Sequence, residues 1–374
     1  MAKRRYTYKL RPGKHATCYL LACNDATRWV WNTCVEKSRA GTPISDKHLC
    51  SLLTTWRKEN PWLGNHPVVP QQQAIKDFVT AHRAWVKKQR RAPRFKARKR
   101  ALPSLNYTTR GFTITADRTL KLAGGITIPV VWSRPLPSPP TSVRVYRDSV
   151  GWWFASFVVD VDDTPRPRTR DGAVGIDWGV ITPATTTRDD LDLAYHPRVR
   201  SHAKQLARIQ RRMAVHKAAH NWPCYHVHKA KAAKLHRTLR WQRREQNRAW
   251  AQKVARTNSI ICYEDFHSRF LASTRMAKKA SDNAIGMLKR ELINAGCTYG
   301  CTLIPINPAY TTMDCSHCGA RTKHRIELDV RNFVCESCGI VLDRDKNAAR
   351  NMLIRAGFNP ADNDGVRLQA TEAS

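Results

Sequence analysis

Over the first hundred residues the apolar positions recur mainly with a helical period. Residues 6–11 alternate and predict a short strand. Residues 14–36 then turn helical, with Leu20, Leu21, Trp29, Trp31 and Val35 as the apolar positions, and residues 46–58 fit a second helix. Pro70 opens a clearer one. Ile75, Phe78, Val79, His82, Trp85 and Val86 share one face, while Gln72, Lys76, Arg83 and Lys87 share the other. From residue 104 to 163 the period shortens to two. Apolar alternation on either side of Ala116-Asp117-Arg118, and again around residues 148–151, predicts two hairpins. With the first strand these suffice for a small barrel. Pro165-Arg-Pro167 reads as a linker.

The pattern changes at Val174-Gly-Ile-Asp177-Trp-Gly179, an apolar strand that ends in an acid. Residues 195–256 are mostly helical and very basic. Leu206, Ile209 and Met213 form a narrow seam among Arg208, Arg211 and Arg212, and the only acid between Ala194 and Asn258 is Glu245. Residues 259–266 form a second buried strand, ending in Glu264 and Asp265. A loop (271–279), a helix (283–295) and a strand (302–306) follow, and the polar segment 359–374 reads as a disordered tail.

Charge narrows the partners. The 65 Lys and Arg against 29 Asp and Glu leave a formal net charge of +36. Such self-repulsion makes sense chiefly beside a large polyanion, and nucleic acid is the first expectation. The run 87–100 contains no acid, and Trp85 and Phe95 interleave with its cations, which favours phosphate contact over a solvated loop. The N-terminus has no apolar signal region, and no apolar stretch is long enough to span a bilayer, so the expected location is the cytoplasm, with no membrane partner. Twelve cysteines in such a chain point to a reducing compartment. Eight show no paired framework and are expected to be buried thiols.

The other four have metal spacing. Cys315 and Cys318, then Cys335 and Cys338, form two Cys-x-x-Cys-Gly turns sixteen residues apart, the pattern of a zinc ribbon. Four thiolates close a tetrahedral shell, so one structural Zn²⁺ is expected, with His317 and His324 left at the surface. Asp177, Glu264 or Asp265, and Asp343 or Asp345 lie where strands end or a helix begins. Carboxylates that converge from distant positions repel one another unless cations join them, and two Mg²⁺ ions on such a set hydrolyse phosphodiesters. Taken singly, each acid equally suits a turn or a helix cap.

Gly175-Ile-Asp177-Trp-Gly179, Tyr263-Glu264-Asp265-Phe266, Tyr310-Thr-Thr-Met-Asp-Cys315-Ser-His-Cys318-Gly and Asp343-Arg-Asp345-Lys-Asn347-Ala-Ala-Arg-Asn351 together resemble TnpB, a family of transposon-encoded RNA-guided nucleases related to the type V CRISPR effectors. The resemblance spans about residues 3–358 and is tightest after residue 170. It implies an α+β multidomain fold. A helical recognition domain (14–100) and a β-barrel wedge domain (1–13 with 101–165) precede an RNase H-like RuvC nuclease domain (170–310 with 340–358). A zinc ribbon (311–339) is inserted in the last.

The resemblance further implies a catalytic, magnesium-binding triad of Asp177, Glu264 and Asp345, using two Mg²⁺ or Mn²⁺, and a lid at 271–279. It implies an RNA-guided endonuclease whose partners are a guide RNA and target double-stranded DNA, a prokaryotic setting at the nucleoid, and a monomer. Lys76, Arg83, Arg91, Arg94, Lys96, Arg98, Arg208 and Arg212 are the expected nucleic-acid contacts. A guided DNA-binding protein with negligible cleavage, or a compact CRISPR effector, is the alternative. Trp178 departs from the family, where a smaller aliphatic residue is commoner.

Overall fold

The computed structural model describes residues 2–98, 101–162, 164–179, 181–194, 198–265, 284–324 and 330–359. Two compact units divide the chain, Met1–Asp163 and Thr164–Ser374.

The first unit sets a twisted sheet beside a helical layer. Its elements are β1 (Ala2–Leu10), α1 (Lys14–Arg39), α2 (Asp46–Glu59), α3 (Pro61–Gly64), α4 (Val68–Val86), β2 (Ser104–Thr108), β3 (Phe112–Ile114), β4 (Thr119–Leu122), β5 (Ile126–Val131), β6 (Pro140–Arg147) and β7 (Trp153–Val161). The seven strands run in the order β2-β6-β7-β1-β5-β4-β3, a nearly closed barrel. Both expected hairpins form, β3 with β4 and β6 with β7. Tyr8, Leu105, Leu120, Ile128, Val145 and Phe157 fill the barrel interior.

Strand β1 starts earlier than its alternation suggests. It pairs with β7 from Ala2 opposite Val161 through to Leu10 opposite Trp153, so cross-strand bonds carry the basic stretch that has no apolar signal. In α4 the apolar face is only half used. Ile75, Phe78 and Val79 pack on Trp31, Leu53 and Trp56, whereas Trp85 and Val86 in the last turn stay 42% and 63% exposed. The Arg57 guanidinium donates to the carbonyls of Leu63, Gly64 and His66 and to Gln71 Oε1, which fixes the short α3 turn.

The second unit holds β8 (Gly172–Asp177), β9 (Thr185–Thr186), α5 (Arg198–Ala218), α6 (Trp222–Thr257), β10 (Asn258–Glu264), α7 (Ile285–Tyr299), β11 (Thr302–Ile306), β12 (Asn332–Val334), β13 (Val341–Asp343) and α8 (Arg344–Arg355). Its main sheet has the order β11-β10-β8-β9, with β8, β10 and β11 parallel and β9 antiparallel. Every residue of β8 is buried, as a strand covered on both faces requires. Val174, Ile176 and Ile261 join Val254 of α6 and Leu288 and Leu292 of α7 in one core, while Ala173 and Cys262 meet Met352 and Leu353 of α8 in another.

The basic helical region resolves into two helices. His220 takes a left-handed φ of 52°, and Asn221 restarts the chain by accepting from the Cys224 amide, one residue before Trp222-Pro223. That Asn-x-Pro start is a readable helix boundary. Leu206, Ile209 and Met213 are half-buried as a seam should be, and Arg208, Arg211 and Arg212 are exposed. The expectation of eight buried thiols holds only at Cys23, Cys34 and Cys262; Cys50, Cys224 and Cys301 are half-buried, and Cys18 and Cys297 are exposed. The last two occupy solvent-facing helical positions that cysteine chemistry alone does not disclose. The expected lid at 271–279 and the tail beyond residue 359 lie outside the described residues.

Candidate active site and metal centre

Two parallel neighbours bring the first two acids together. Asp177 ends β8 and Glu264 ends β10, and the strands pair in register up to Ile176 opposite Tyr263. Both acids therefore emerge at the carboxyl edge of the sheet, where open α/β sheets place their ligands. The third comes from α8, whose approach to β8 is unusually close. A Cβ built on Gly175 would stand 2.0 Å from the Ala349 carbonyl oxygen, and Ala348 and Ala349 are fully buried. Small residues on both sides let the helix lie against the strand, and its first turn then carries Asp345.

The acidic pairs divide their roles. Asp343 caps α8, its carboxylate accepting from the amides of Asp345 and Lys346 at 2.9 Å each. Asp345 is thereby released from capping. Its side chain is 16% exposed and meets Arg331 at 3.2 Å and Arg344 at 3.5 Å. Asp265 turns away to an ion pair of 2.7 Å with Lys289, while the Glu264 carboxylate accepts from the Trp178 amide at 3.3 Å.

Electrostatics link the three acids. Burial pushes the Asp177 carboxyl well above the usual range, and the charges of Glu264 and Asp345 push it further. Burial likewise raises Glu264 to about 7, opposed by the Trp178 amide and the Lys289 ammonium. Two raised carboxyls at a buried edge, with the charge of Asp345 adding to the first, are chemically suited to hard cations that supply the missing charge. Among the described residues, however, the only donor group drawn within 4.8 Å of one another is the set of four cysteines. The carboxylates share an environment without forming a closed cage, which suits hydrated cations better than a dry all-protein site.

The cysteine group is Cys315, Cys318, Cys335 and Cys338, with no histidine in it. The Sγ atoms of Cys315 and Cys338 lie 3.8 Å apart and those of Cys318 and Cys335 lie 3.6 Å apart. Four sulfurs at about 2.3 Å from a shared tetrahedral ion stand roughly 3.8 Å apart, so the residues fit zinc. His317 and His324 are exposed.

Side chains whose partners the linear sequence does not disclose tie this centre to the acids. Asn347, fully buried on α8, accepts from the Ser316 amide at 2.9 Å and donates to the Asp314 carbonyl at 2.8 Å. Asn351, one turn on, donates to the carbonyls of Thr311 and Asp314. From the other knuckle, Arg331 accepts the Arg344 amide on its carbonyl and sends its guanidinium to Asp345. Lys346 binds Asp189 and Asp192 at 2.6 and 2.8 Å and so joins α8 to the segment after β9.

Of the expected nucleic-acid contacts, Lys76, Arg91, Arg94, Arg208 and Arg212 are exposed. Arg83 pairs with Asp46 at 3.8 Å and Arg98 with Asp25 at 3.3 Å. Lys96 lays its ammonium 3.6 Å over the Trp31 ring, and burial lowers its pKa. The Trp31 indole donates to the Arg94 carbonyl, and Asn32 exchanges two hydrogen bonds with the Lys96 backbone. The basic run is thus fastened to α1 while most of its guanidinium groups face outward.

The chain is similar to known proteins along most of its length. Residues 156–272 match the family described as Probable transposase, and residues 286–352 match the one described as Cas12f1-like, TNB domain. A Streptomyces pristinaespiralis protein named Putative RNA-guided DNA endonuclease is 31% identical over 98% of this chain and 92% of its own length. Escherichia coli K12 InsQ, of the same description, is 26% identical over 93% of this chain and 91% of its own. Among solved structures, a Cas12f1–sgRNA–target DNA complex matches the fold at a TM-score of 0.59 and 13% identity, covering 91% of this chain and 83% of the Cas12f1 chain.

Proposed function

The chain belongs to the TnpB family of RNA-guided DNA endonucleases, and we propose on that footing that it binds a guide RNA, recognises a short motif beside its DNA target and hydrolyses both strands of the matched duplex. The observation that carries the reading is the electrostatic convergence of Asp177, Glu264 and Asp345 from two strand ends and a helix start. These three acids are the proposed catalytic set, with Mg²⁺ or Mn²⁺ as the cations they would hold. Two such ions, when bound, supply an activated water and offset charge on the leaving oxygen.

The chain's own contribution is placement. The β8–β10 pairing sets the spacing of Asp177 and Glu264, and the Gly175–Ala349 approach sets the third acid against them. Arg331 and Arg344 hold Asp345 by ion pairs and add positive charge where a phosphate must enter. Zinc on the four cysteines is a structural knuckle with no open position. The proposed division of labour is recognition by residues 14–100, a wedge from 1–13 and 101–165, cleavage by 170–310 with 340–358, and a ribbon at 311–339. The exposed cations on α4, the 87–98 run and α5 are the proposed contacts to backbone phosphates, so that base pairing rather than protein reads the sequence. The proposed setting is the prokaryotic cytoplasm, in keeping with the bacterial relatives; separately, no described helix is long and apolar enough to cross a membrane.

The test uses the protein purified with its guide RNA and a matched duplex. The parent cuts in Mg²⁺, and Asp177→Ala binds the duplex without cutting. An Asp177→Ala protein that cuts like the parent removes the site assignment. Guide-dependent binding by the parent with no cut product in Mg²⁺ or Mn²⁺ replaces cleavage by guided binding as the function.

A further inference from the structure

The residue after the first acid does more than continue the strand. Trp178 is 7% exposed, and it makes two hydrogen bonds to one residue of the neighbouring strand. Its amide donates to Glu264 Oε2 at 3.3 Å, and its indole Nε1 donates to the Glu264 backbone carbonyl at 3.0 Å. Any residue supplies the amide. Only tryptophan, among apolar side chains, supplies the second donor.

The indole is itself held. Its ring meets Trp250 of α6 edge-on, with centroids 6.2 Å apart at 66°. Trp250 in turn donates to the Leu191 carbonyl at 2.6 Å. Ala184, Leu191 and Leu193 complete the same apolar cluster, so the indole has packing on its ring and a single polar partner on its nitrogen.

We infer that Trp178 is a positioning residue for Glu264. It fixes the end of β10 against the end of β8, so that the second carboxylate points at Asp177 rather than out toward Lys289. The inference rests on Asp177, Glu264 and Asp345 being the cation-holding set. It adds that this chain locks the geometry with an indole donor.

A lost neutral hydrogen bond of this kind is worth about a five- to tenfold change in an equilibrium. The experiment compares the parent, Trp178→Phe and a variant with 3-benzothienylalanine at position 178, each as its guide-RNA complex. Benzothienylalanine keeps the bicyclic shape and the Trp250 contact and removes only the N–H. Mn²⁺ affinity is read by electron paramagnetic resonance, and cleavage is followed against Mg²⁺ concentration.

The expected result is a roughly five- to tenfold weaker Mn²⁺ affinity in both variants, an equal rise in the Mg²⁺ concentration for half-maximal cutting, and a rate at saturating Mg²⁺ within about twofold of the parent. Benzothienylalanine lowers the melting temperature by only about 2–5 °C, so the protein remains folded. Mn²⁺ affinity unchanged in the benzothienylalanine variant overturns the inference, as does a loss of saturated rate with unaltered metal dependence. If the parent itself neither cuts nor binds Mn²⁺ at this site, the assignment of the three acids has failed, and that outcome is separate from a failure of the tryptophan's role.

Discussion

Neutralising Glu264 should stabilise the protein in the absence of divalent cations, although it should abolish cleavage. Glu264 sits half-buried beside Asp177, and burial raises its carboxyl from an ordinary 4.5 to about 7. The folded state therefore holds a proton that the unfolded chain releases between those values. Stability from this group is complete below pH 4.5, declines as pH rises through the window, and is gone above pH 7. The difference of about 2.5 pH units corresponds to roughly 3 kcal/mol. Gln keeps an oxygen for the Trp178 amide and carries no charge, so Glu264→Gln escapes this loss. At pH 8 in chelator it should exceed the parent by up to about 3 kcal/mol, or roughly 6–12 °C in the melting of a unit of this size. The gap should close as pH falls toward 5. Adding Mg²⁺ at pH 8 should raise the parent's melting temperature and leave the variant's nearly unchanged, because a ligand stabilises only the state that binds it. Calorimetric melts at pH 5, 6, 7 and 8, with chelator and with Mg²⁺, provide the measurement. A Gln variant that melts at or below the parent at pH 8 in chelator refutes the claim that a buried, cation-seeking carboxylate sits here.

The acids of α8 separate by function and by stability. Asp345→Ala should leave a folded, RNA-binding protein whose cutting is lost. Asp343→Ala should still cut while losing about 1 kcal/mol, since it removes the helix cap to Asp345 and Lys346; a cutting Asp345→Ala beside an inactive Asp343→Ala, seen in gel cleavage assays and melts, reverses the assignment. Zinc held by the four cysteines would act through the same helix. Stripping it, or making Cys335→Ser, should abolish cutting by unfolding the ribbon and releasing Asn347 and Asn351 from their carbonyl partners. Hydrogen exchange should then rise across 311–324 and 330–355 while the barrel strands β1 to β7 stay protected; full cutting by a zinc-free protein contradicts this.

Features whose cause is local were legible in the sequence. The cysteine knuckles are fixed by spacing, the β11 strand by its apolar run, and the amphipathic halves of α1, α2 and α4 by period. The resemblance to TnpB picked Asp345 over Asp343, and the capping bonds of Asp343 now give that choice a geometric reason. Long-range contacts were not legible. Nothing near Arg331 says that its guanidinium reaches Asp345, and nothing near Lys96 says that its ammonium rests on Trp31. The first residues of β1 look like a basic tail because the bonds that make them a strand come from β7. The break between α5 and α6 was written locally, in Asn221-Trp-Pro223, and a reading by hydrophobic period alone passes over it.

The motif around Asp345 then resolves into parts with separate jobs. In Asp343-Arg-Asp345-Lys-Asn347-Ala-Ala-Arg-Asn351, Asp345 is the acid whose charge adds to that of Glu264 on Asp177, and Arg331 and Arg344 hold it by ion pairs. Asp343 starts the helix, the two alanines let it lie against Gly175, and the two asparagines dock it on the ribbon through carbonyls at Thr311 and Asp314. Buried amides at that seam must keep their partners, because an unpaired one costs about 1–3 kcal/mol. The ribbon therefore seats α8, and a metal held by its four cysteines would bear on the acid through Asn347, Asn351 and Arg331 rather than through any contact of its own. On the proposed assignment, one helix would answer to both a structural metal and the catalytic acids, with Asp345 in its first turn and Asn347 and Asn351 docking it on the ribbon.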